Sequence, residues 1–357
     1  MVTTVTKAIK PNGGGDYASL SGWDIGQRAN ITASGNDTIQ IAEIYSDPTQ
    51  TGAGNVTLSN ANWTVDATHY IIIRAAAGHE CGGVWNTLKA FMGFFQNWSV
   101  GYVHIGPGLS TRQLRTDYVS CNTPCMVERC VVRDDAYGIL FAAGGGTGTH
   151  IVKNCVIYEW TNGYGGLSGV YGPGTKINVS NCTIHIPAAG FTALGPGSAI
   201  TSQNNYLAVV SPVVCYYGGV VQGVNDATNN TEATTASLRN IAYSTANFVN
   251  VTTGSQDLHL KTGSALLLRG ATIASVTNDI DGDSRVGFVF DIGADQFDQI
   301  PLCWNYTARY KNSNKLFKAS GCGNFPKSLR VPENVDTSTG RMIDDGILIN
   351  PDEYEIV

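Results

Sequence analysis

Apolar residues in this chain fall into short β-branched runs, each bounded by Gly, Asn, Asp or Pro. DTIQIAEIY (37–45), HYIIIRAAAG (69–78) and GYVHIGPG (101–108) come first. ERCVVRD (128–134), KNCVIYEW (153–160), SNCTIHI (180–186) and SQNNYLAVV (202–210) follow. Runs of this length with turn residues between them predict strands rather than helices. They also recur. Aligning Cys130, Cys155 and Cys182 gives steps of 25 and 27 residues. A further step of 23 places Asn205 in the cysteine's position, and one of 25 places Asn230 there, within ATNNTEAT. Asn154, Asn181, Asn204 and Asn229 precede these positions.

A single unit of this size cannot bury a core, whereas stacked units can, each contacting only its neighbours. Repeats of 23–27 residues with three short strands fit a right-handed parallel β-helix, in which each coil advances by the ~4.8 Å strand spacing. The Leu-x-x-Leu-x-Leu pattern of leucine-rich repeats is absent, and a β-sandwich would leave the recurring Asn-Cys unexplained. Cysteines at one coil position would stack with parallel Cβ vectors, which disfavours disulfides. They are expected as a reduced, buried thiol column, with the asparagines across the strand or at a corner, their amides bonding from coil to coil.

Composition supports a turn-rich β protein. The 357 residues include 42 Gly but only 14% charged residues, so long amphipathic helices lack their usual material. The net charge of −6 suggests no nucleic-acid partner, and no 18-residue apolar run suggests a membrane span. The opening MVTTVTKAIKPNGGG shows no apolar signal-peptide core, so synthesis without Sec-type export is the expectation.

PNGGGDYASLSGWD (11–24) resembles the opening segment of pectate-lyase-like right-handed β-helix proteins, and DIDGDSR…FDIGADQF (279–297) is similar to the segment that closes many of them. The resemblance spans roughly 9–298. It implies an N-terminal cap over 1–30, whose short helix holds Leu20, Trp23 and Ile25 against the open end, and a solenoid over 31–298. Lyases, hydrolases, adhesins and virion proteins share this architecture, so the resemblance implies the fold more than the activity. Residues 299–357 lose the repeat and read as an extended arm with short strands near Ile343–Ile349. Trp304, Tyr306, Tyr310 and Phe317 are its expected partner anchors.

Candidate chemistry is sparse. Asp134 and Asp135 form a carboxylate pair of the kind glycosidases use, but adjacent strand residues point to opposite faces. Asp279, Asp281 and Asp283 alternate as calcium ligands can, yet Phe290 stands where an EF-hand needs Glu. The C-x3-C of Cys121 and Cys125, with Cys130, lacks a fourth zinc ligand at recognisable spacing. Trp160, Tyr164, Tyr171, Tyr216 and Tyr217 fall in or near turns of the middle coils, where they could stack sugars, pack solenoids side by side or pack coils. No catalytic set, metal or cofactor is expected. The expected function is that of a structural bacteriophage virion protein, a capsid decoration or cement protein on the particle surface. It would be a homotrimer, anchored to the major capsid protein by its arm. The alternative is a tailspike-like adhesin or depolymerase acting on bacterial surface polysaccharide. A secreted polysaccharide lyase is disfavoured by the missing signal peptide.

Overall fold

The computed structural model describes residues 2–47, 52–116, 124–133, 139–141, 148–158, 167–169, 174–186, 191–193, 199–209, 215–218, 220–221, 225–231, 238–285 and 289–297, and five strands beyond them. The chain divides into two compact units, Met1–Phe297 and Asp298–Val357.

Three ladders of parallel strands build the first unit. The first sheet stacks nine strands: Thr3–Ile9, Thr38–Ile44, Ile71–Ala75, Val103–Ile105, Met126–Glu128, Thr149–Lys153, Lys176–Ser180, Ala199–Gln203 and Val220–Val221. A second ladder climbs through Leu109–Thr116, Cys130–Arg133, Val156–Tyr158, Thr183–Ile186, Tyr206–Val209 and Ala227–Thr228. A third runs through Ile139–Leu140, Leu167–Gly169, Phe191–Ala193 and Tyr216–Gly218 and joins the second at Leu109–Thr116. Every ladder neighbour is one coil away in sequence, so the first unit is a parallel β-helix, as the repeat predicts, and the chain is nearly all-β, with a single short helix among the described residues. No helix among the described residues is long and apolar enough to cross a membrane.

Register explains the repeat residue by residue. One interior row runs Ala42, Ile73, Ile105, Val127, Val152, Val179, Ser202. Another carries Leu109, Cys130, Cys155, Cys182, Asn205 and Asp226, as the pairing of their immediate neighbours requires. Just before this row the chain turns a corner in left-handed conformation: Arg129, Asn154, Asn181, Asn204 and Asn225 have φ of 51°, 52°, 51°, 58° and 64°. Asparagine tolerates that region better than other side chains, which is why it recurs. Each following thiol donates back across the corner, from Sγ of Cys130, Cys155 and Cys182 to the carbonyls of Glu128, Lys153 and Ser180 at 3.3, 3.3 and 3.4 Å. All three are unpaired and fully buried.

Two expectations need correction here. The last rung is Asn225-Asp226, not Asn229-Asn230, because Tyr206 pairs with Ala227. Among the described residues the corner amides bond coil to coil once, Asn204 Nδ2 to Asn181 Oδ1 at 3.4 Å. They turn instead to a segment that folds back along the solenoid. Asn154 Nδ2 reaches Asn278 O at 2.5 Å, Asn181 Nδ2 reaches Asp291 O at 3.3 Å, and Asn204 Nδ2 reaches Ala271 O at 2.7 Å. Arg129 Nε takes Ile280 O at 3.2 Å in the same way.

That returning segment creates a second core. Val131, Val156, Tyr158, Tyr206 and Ala208 point outward from the second ladder and pack against Leu238, Phe248, Leu258, Leu266, Ile280 and Ile292. Phe248–Asn250 and Asp257–Leu260 form an antiparallel hairpin within it. At the other end, the helix Leu20–Gln27 starts at Ser19, whose Oγ accepts Gly22 N at 3.1 Å. It buries Leu20 and Trp23, with Trp23 stacked 5.5 Å from Trp63. Ile25, expected in that cap, is 64% exposed. Two residues from Trp23, it lies on the far side of the helix, and Asp24 faces inward instead, accepting Trp63 Nε1 at 2.7 Å.

The second unit is antiparallel. Trp304–Tyr310 pairs with Leu316–Gly321 and Tyr354–Ile356, and Leu329–Pro332 pairs with Gly346–Ile349, the strand foreseen near 343–349.

Candidate functional site

The outer face of the first sheet carries a groove. Its central row, Ile41, Ile72, His104, Met126, Ile151, Asn178, Thr201, passes from apolar to polar along the solenoid. A parallel outward row holds Glu128, Lys153, Ser180 and Gln203. Tyr70, Tyr102 and Pro124 precede their strands and flank the central row. Two hollows follow this face. One of about 230 Å³ is lined by Tyr70, Tyr102, His104, Pro124, Met126 and Ile151. The other, about 250 Å³, is lined by Lys153, Asn178, Ser180, Thr201 and Gln203, with Ile273 and Ser275 of the returning segment along it. Met126 and Ile151 border both, so the hollows adjoin. From the Ile71 coil to the Ala199 coil the face spans five strand spacings, ~24 Å.

The polar groups of the groove are arranged for holding rather than for proton transfer. His104 Nε2 stands 3.0 Å from Glu128 Oε1, and Lys153 Nζ stands 2.8 Å from Oε2. Burial alone would raise the Glu128 carboxyl, but hydrogen bonds and charge from His104 and Lys153 pull it down to about 2. A carboxylate held so low is a poor general base near neutral pH. Lys153 Nζ also donates to Ser275 O at 3.3 Å, fastening the groove wall to the sheet. One coil set earlier, Arg74 Nη2 holds Glu43 Oε1 at 2.5 Å.

A second constellation lies in the returning segment. His259 sits between carboxylates, with Nδ1 2.5 Å from Asp257 Oδ1 and Nε2 2.8 Å from Asp281 Oδ2. Burial opposes its charge, yet the two aspartates raise its pKa to about 11. The Asp295 carboxyl moves the other way. Burial raises it to about 7 against the His259 charge and the Leu260 N–H. One ligand atom each from His259, Asp281 and Asp295 lies within 4.8 Å of the others.

Of the three alternating aspartates, only Asp281 joins such a group among the described residues. Asp279 is fully buried, its Oδ1 accepting the backbone N–H groups of Asp281, Gly282 and Asp283 at 3.1, 2.9 and 2.8 Å and its Oδ2 that of Gln296 at 3.1 Å. That is loop closure, while Asp283 is exposed. Asp134 and Asp135 lie outside the described residues, as do Trp160, Tyr164, Tyr171 and Cys121. Tyr216 points its hydroxyl at Asp226 Oδ2, 3.2 Å away, rather than at a ligand. Cys125 and Cys130 are buried in different interior rows. The backbones of Trp304, Tyr306, Tyr310 and Phe317 lie in paired strands of the second unit. The groove residues went unnoticed in the sequence, although HYIII, GYVHI, THIVK and KINVS place an outward residue at every second position.

No protein-family model matches this chain, and no curated protein does either. Among solved structures, the crystal structure of pectate lyase Pel9A is similar over 82% of this chain and 96% of its own, at 11% identity and a TM-score of 0.30.

Proposed function

We propose that this β-helix binds a polysaccharide along the outer face of its first sheet, without cleaving it. The observation that carries this reading is the pair of adjoining hollows along one face. Tyr70 and Tyr102 offer amphipathic rings at one end, Met126 and Ile151 an apolar floor, and Asn178, Thr201 and Gln203 neutral hydrogen-bonding groups at the other. A mostly apolar concavity with a few fixed polar groups suits a neutral, extended ligand. Glu128, kept ionised by His104 and Lys153, positions rather than catalyses. The test is binding of bacterial surface glycan fragments by calorimetry, with Tyr70→Ala and Gln203→Ala placed at opposite ends of the groove. Each should weaken binding several-fold, and leave long fragments more affected than short ones. Unchanged affinity in both variants, or release of new reducing or unsaturated ends by the wild type, would sink the reading.

The second unit favours a setting for this activity. Asp298–Val357 is compact on its own and antiparallel, unlike the solenoid. This supports an anchor: a virion decoration or spike protein, trimeric through its sparsely charged flanks and held on the capsid by this unit. Deleting 298–357 should abolish attachment to particles and leave the solenoid folded and glycan-binding; retained attachment refutes the anchor.

A further inference from the structure

We infer that the hollow lined by Tyr70 and Tyr102 selects a 6-deoxyhexose, taking the C6 methyl of that sugar onto the floor formed by Met126 and Ile151. The inference rests on glycan binding in the groove and names the class of sugar bound there. The two adjoining hollows differ in the hydrogen bonds they have left to give, and that difference makes the selection.

Around the first hollow, of about 230 Å³, the backbone is already paired. Tyr70 O accepts Gln40 N at 3.1 Å, Tyr102 O accepts Ile71 N at 3.2 Å, and Pro124 O accepts Tyr102 N at 2.9 Å. Cys125 O accepts Ile151 N at 2.9 Å, and Cys125 N donates to His150 Nδ1 at 3.2 Å. Among the lining side chains, Pro124, Met126 and Ile151 offer no donor, and His104 Nε2 stands 3.0 Å from Glu128 Oε1. The Tyr70 and Tyr102 hydroxyls have no hydrogen-bond partner among the described residues. They suit the ring hydroxyls that every hexose carries, while the floor has nothing to pair with a hydroxyl at C6. A hydroxymethyl group set on that floor loses water without replacement, whereas a methyl group gains by leaving water. An acetamido group is no better placed, because it brings both an N–H and a C=O.

The second hollow has the opposite character. Asn178, Ser180, Thr201 and Gln203 line it, and none of their side chains has a hydrogen-bond partner among the described residues. That set suits a sugar with all its hydroxyls. The hollows centre roughly two coils apart, ~10 Å along the solenoid. Lys153 Nζ, 2.8 Å from Glu128 Oε2, balances the carboxylate beside them, which suits an uncharged chain. The ligand is therefore a neutral heteropolysaccharide in which a 6-deoxyhexose lies near a fully hydroxylated sugar.

The experiment titrates the full chain by calorimetry with matched oligosaccharides: 6-deoxymannose against mannose, fucose against galactose, and N-acetylglucosamine as a further probe. The 6-deoxy member of at least one pair should bind roughly tenfold more tightly than its hydroxymethyl counterpart. Met126→Gln, which puts an amide on the floor, should bring that ratio close to one. Gln203→Ala should weaken both members alike and keep the ratio. Saturation-transfer NMR on the wild type, a readout independent of any variant's folding, should show the C6 methyl as the most strongly saturated group. Equal binding within both pairs, tighter binding of N-acetylglucosamine, or strongest saturation at a ring proton would overturn the selection and leave glycan binding standing. If the wild type bound none of these saccharides or any bacterial surface glycan fragment, the groove reading itself would fall, and the selection with it.

Discussion

The first sheet and the second ladder are built from the same coils, yet they bury their residues differently. In Lys176–Ser180 exposure alternates, with Ile177 and Val179 buried and Lys176 and Asn178 exposed. In Val156–Tyr158 and Tyr206–Val209 every residue is buried. The cause is what lies outside. The returning segment covers the second ladder, while on the outer face of the first sheet its described residues Ile273 and Ser275 line a hollow. A strand open on one side reads with period two, and one covered on both sides reads as an unbroken apolar run. The groove exists because the cover stops at the left-handed corner column, whose side chains hold its edge.

Removing the cover's main ring should break this difference most strongly. Phe248 is fully buried and packs 5.2 Å from Tyr206 and 5.9 Å from Tyr243. Phe248→Ala should cost about 3–5 kcal/mol in denaturant unfolding and raise hydrogen exchange in Tyr206–Val209 above that in Lys176–Ser180. Equal exchange in both strands would mean the cover contributes nothing.

Next in size is the closing rung of the thiol row. Asp226 accepts from Ser202 Oγ, from Asn205 N at 2.8 Å, from Asn205 Nδ2 at 3.2 Å and from Tyr216 OH at 3.2 Å. Burial nonetheless outweighs these donors and raises its carboxyl to about 6. The folded state then holds a proton that the unfolded state releases near 3.8. Stability from this group is therefore full below about pH 4, is lost as pH rises through about 6, and is flat above. A shift of this size corresponds to about 2–3 kcal/mol. Subtracting the Asp226→Asn unfolding profile from that of the wild type isolates it; parallel profiles from pH 4 to 7 would refute it.

The corner column comes third. Asn181→Ala loses the amide bond to Asp291 O and puts alanine at φ 51°, for a cost of about 1–3 kcal/mol. Asn181→Gly should recover the backbone part only. If glycine restored full stability, the amide would not be holding the cover's edge.

Much of this was legible before the structure. Asn154-Cys155 and Asn181-Cys182 carry the coil length, and the coil length carries the fold. The unbroken VIY and YLAV runs already held the sign of a covered face, but the covering residues lie 30 to 140 positions onward in a stretch without repeats. Local pattern cannot show which face a distant segment will choose. For the same reason His259 and Asp295, 36 residues apart, could not be paired from spacing, and Asp279 looked like a ligand when it caps a loop. Asn225-Asp226 was missed because its step is 21 residues, shorter than the others, and a nearer match to 25 lay at Asn230.

The smallest expected effect on stability gives the sharpest comparison. Ile151 and Val156 belong to one coil and both point outward, Ile151 from the first sheet and Val156 from the second ladder. Ile151 is half-buried on the groove floor, and Val156 is 2% exposed beneath the cover. Replacing each with threonine adds a hydroxyl in both places. Beneath the cover that hydroxyl loses water and should cost about 1–3 kcal/mol. In the groove it stays within reach of solvent, so Ile151→Thr should cost under about 1 kcal/mol. The order reverses for ligand binding: Ile151→Thr should weaken glycan affinity several-fold, and Val156→Thr should leave it unchanged. Two unfolding curves and two titrations check this. Equal stability losses would mean the first sheet is also covered, and the groove would then be part of a larger buried interface.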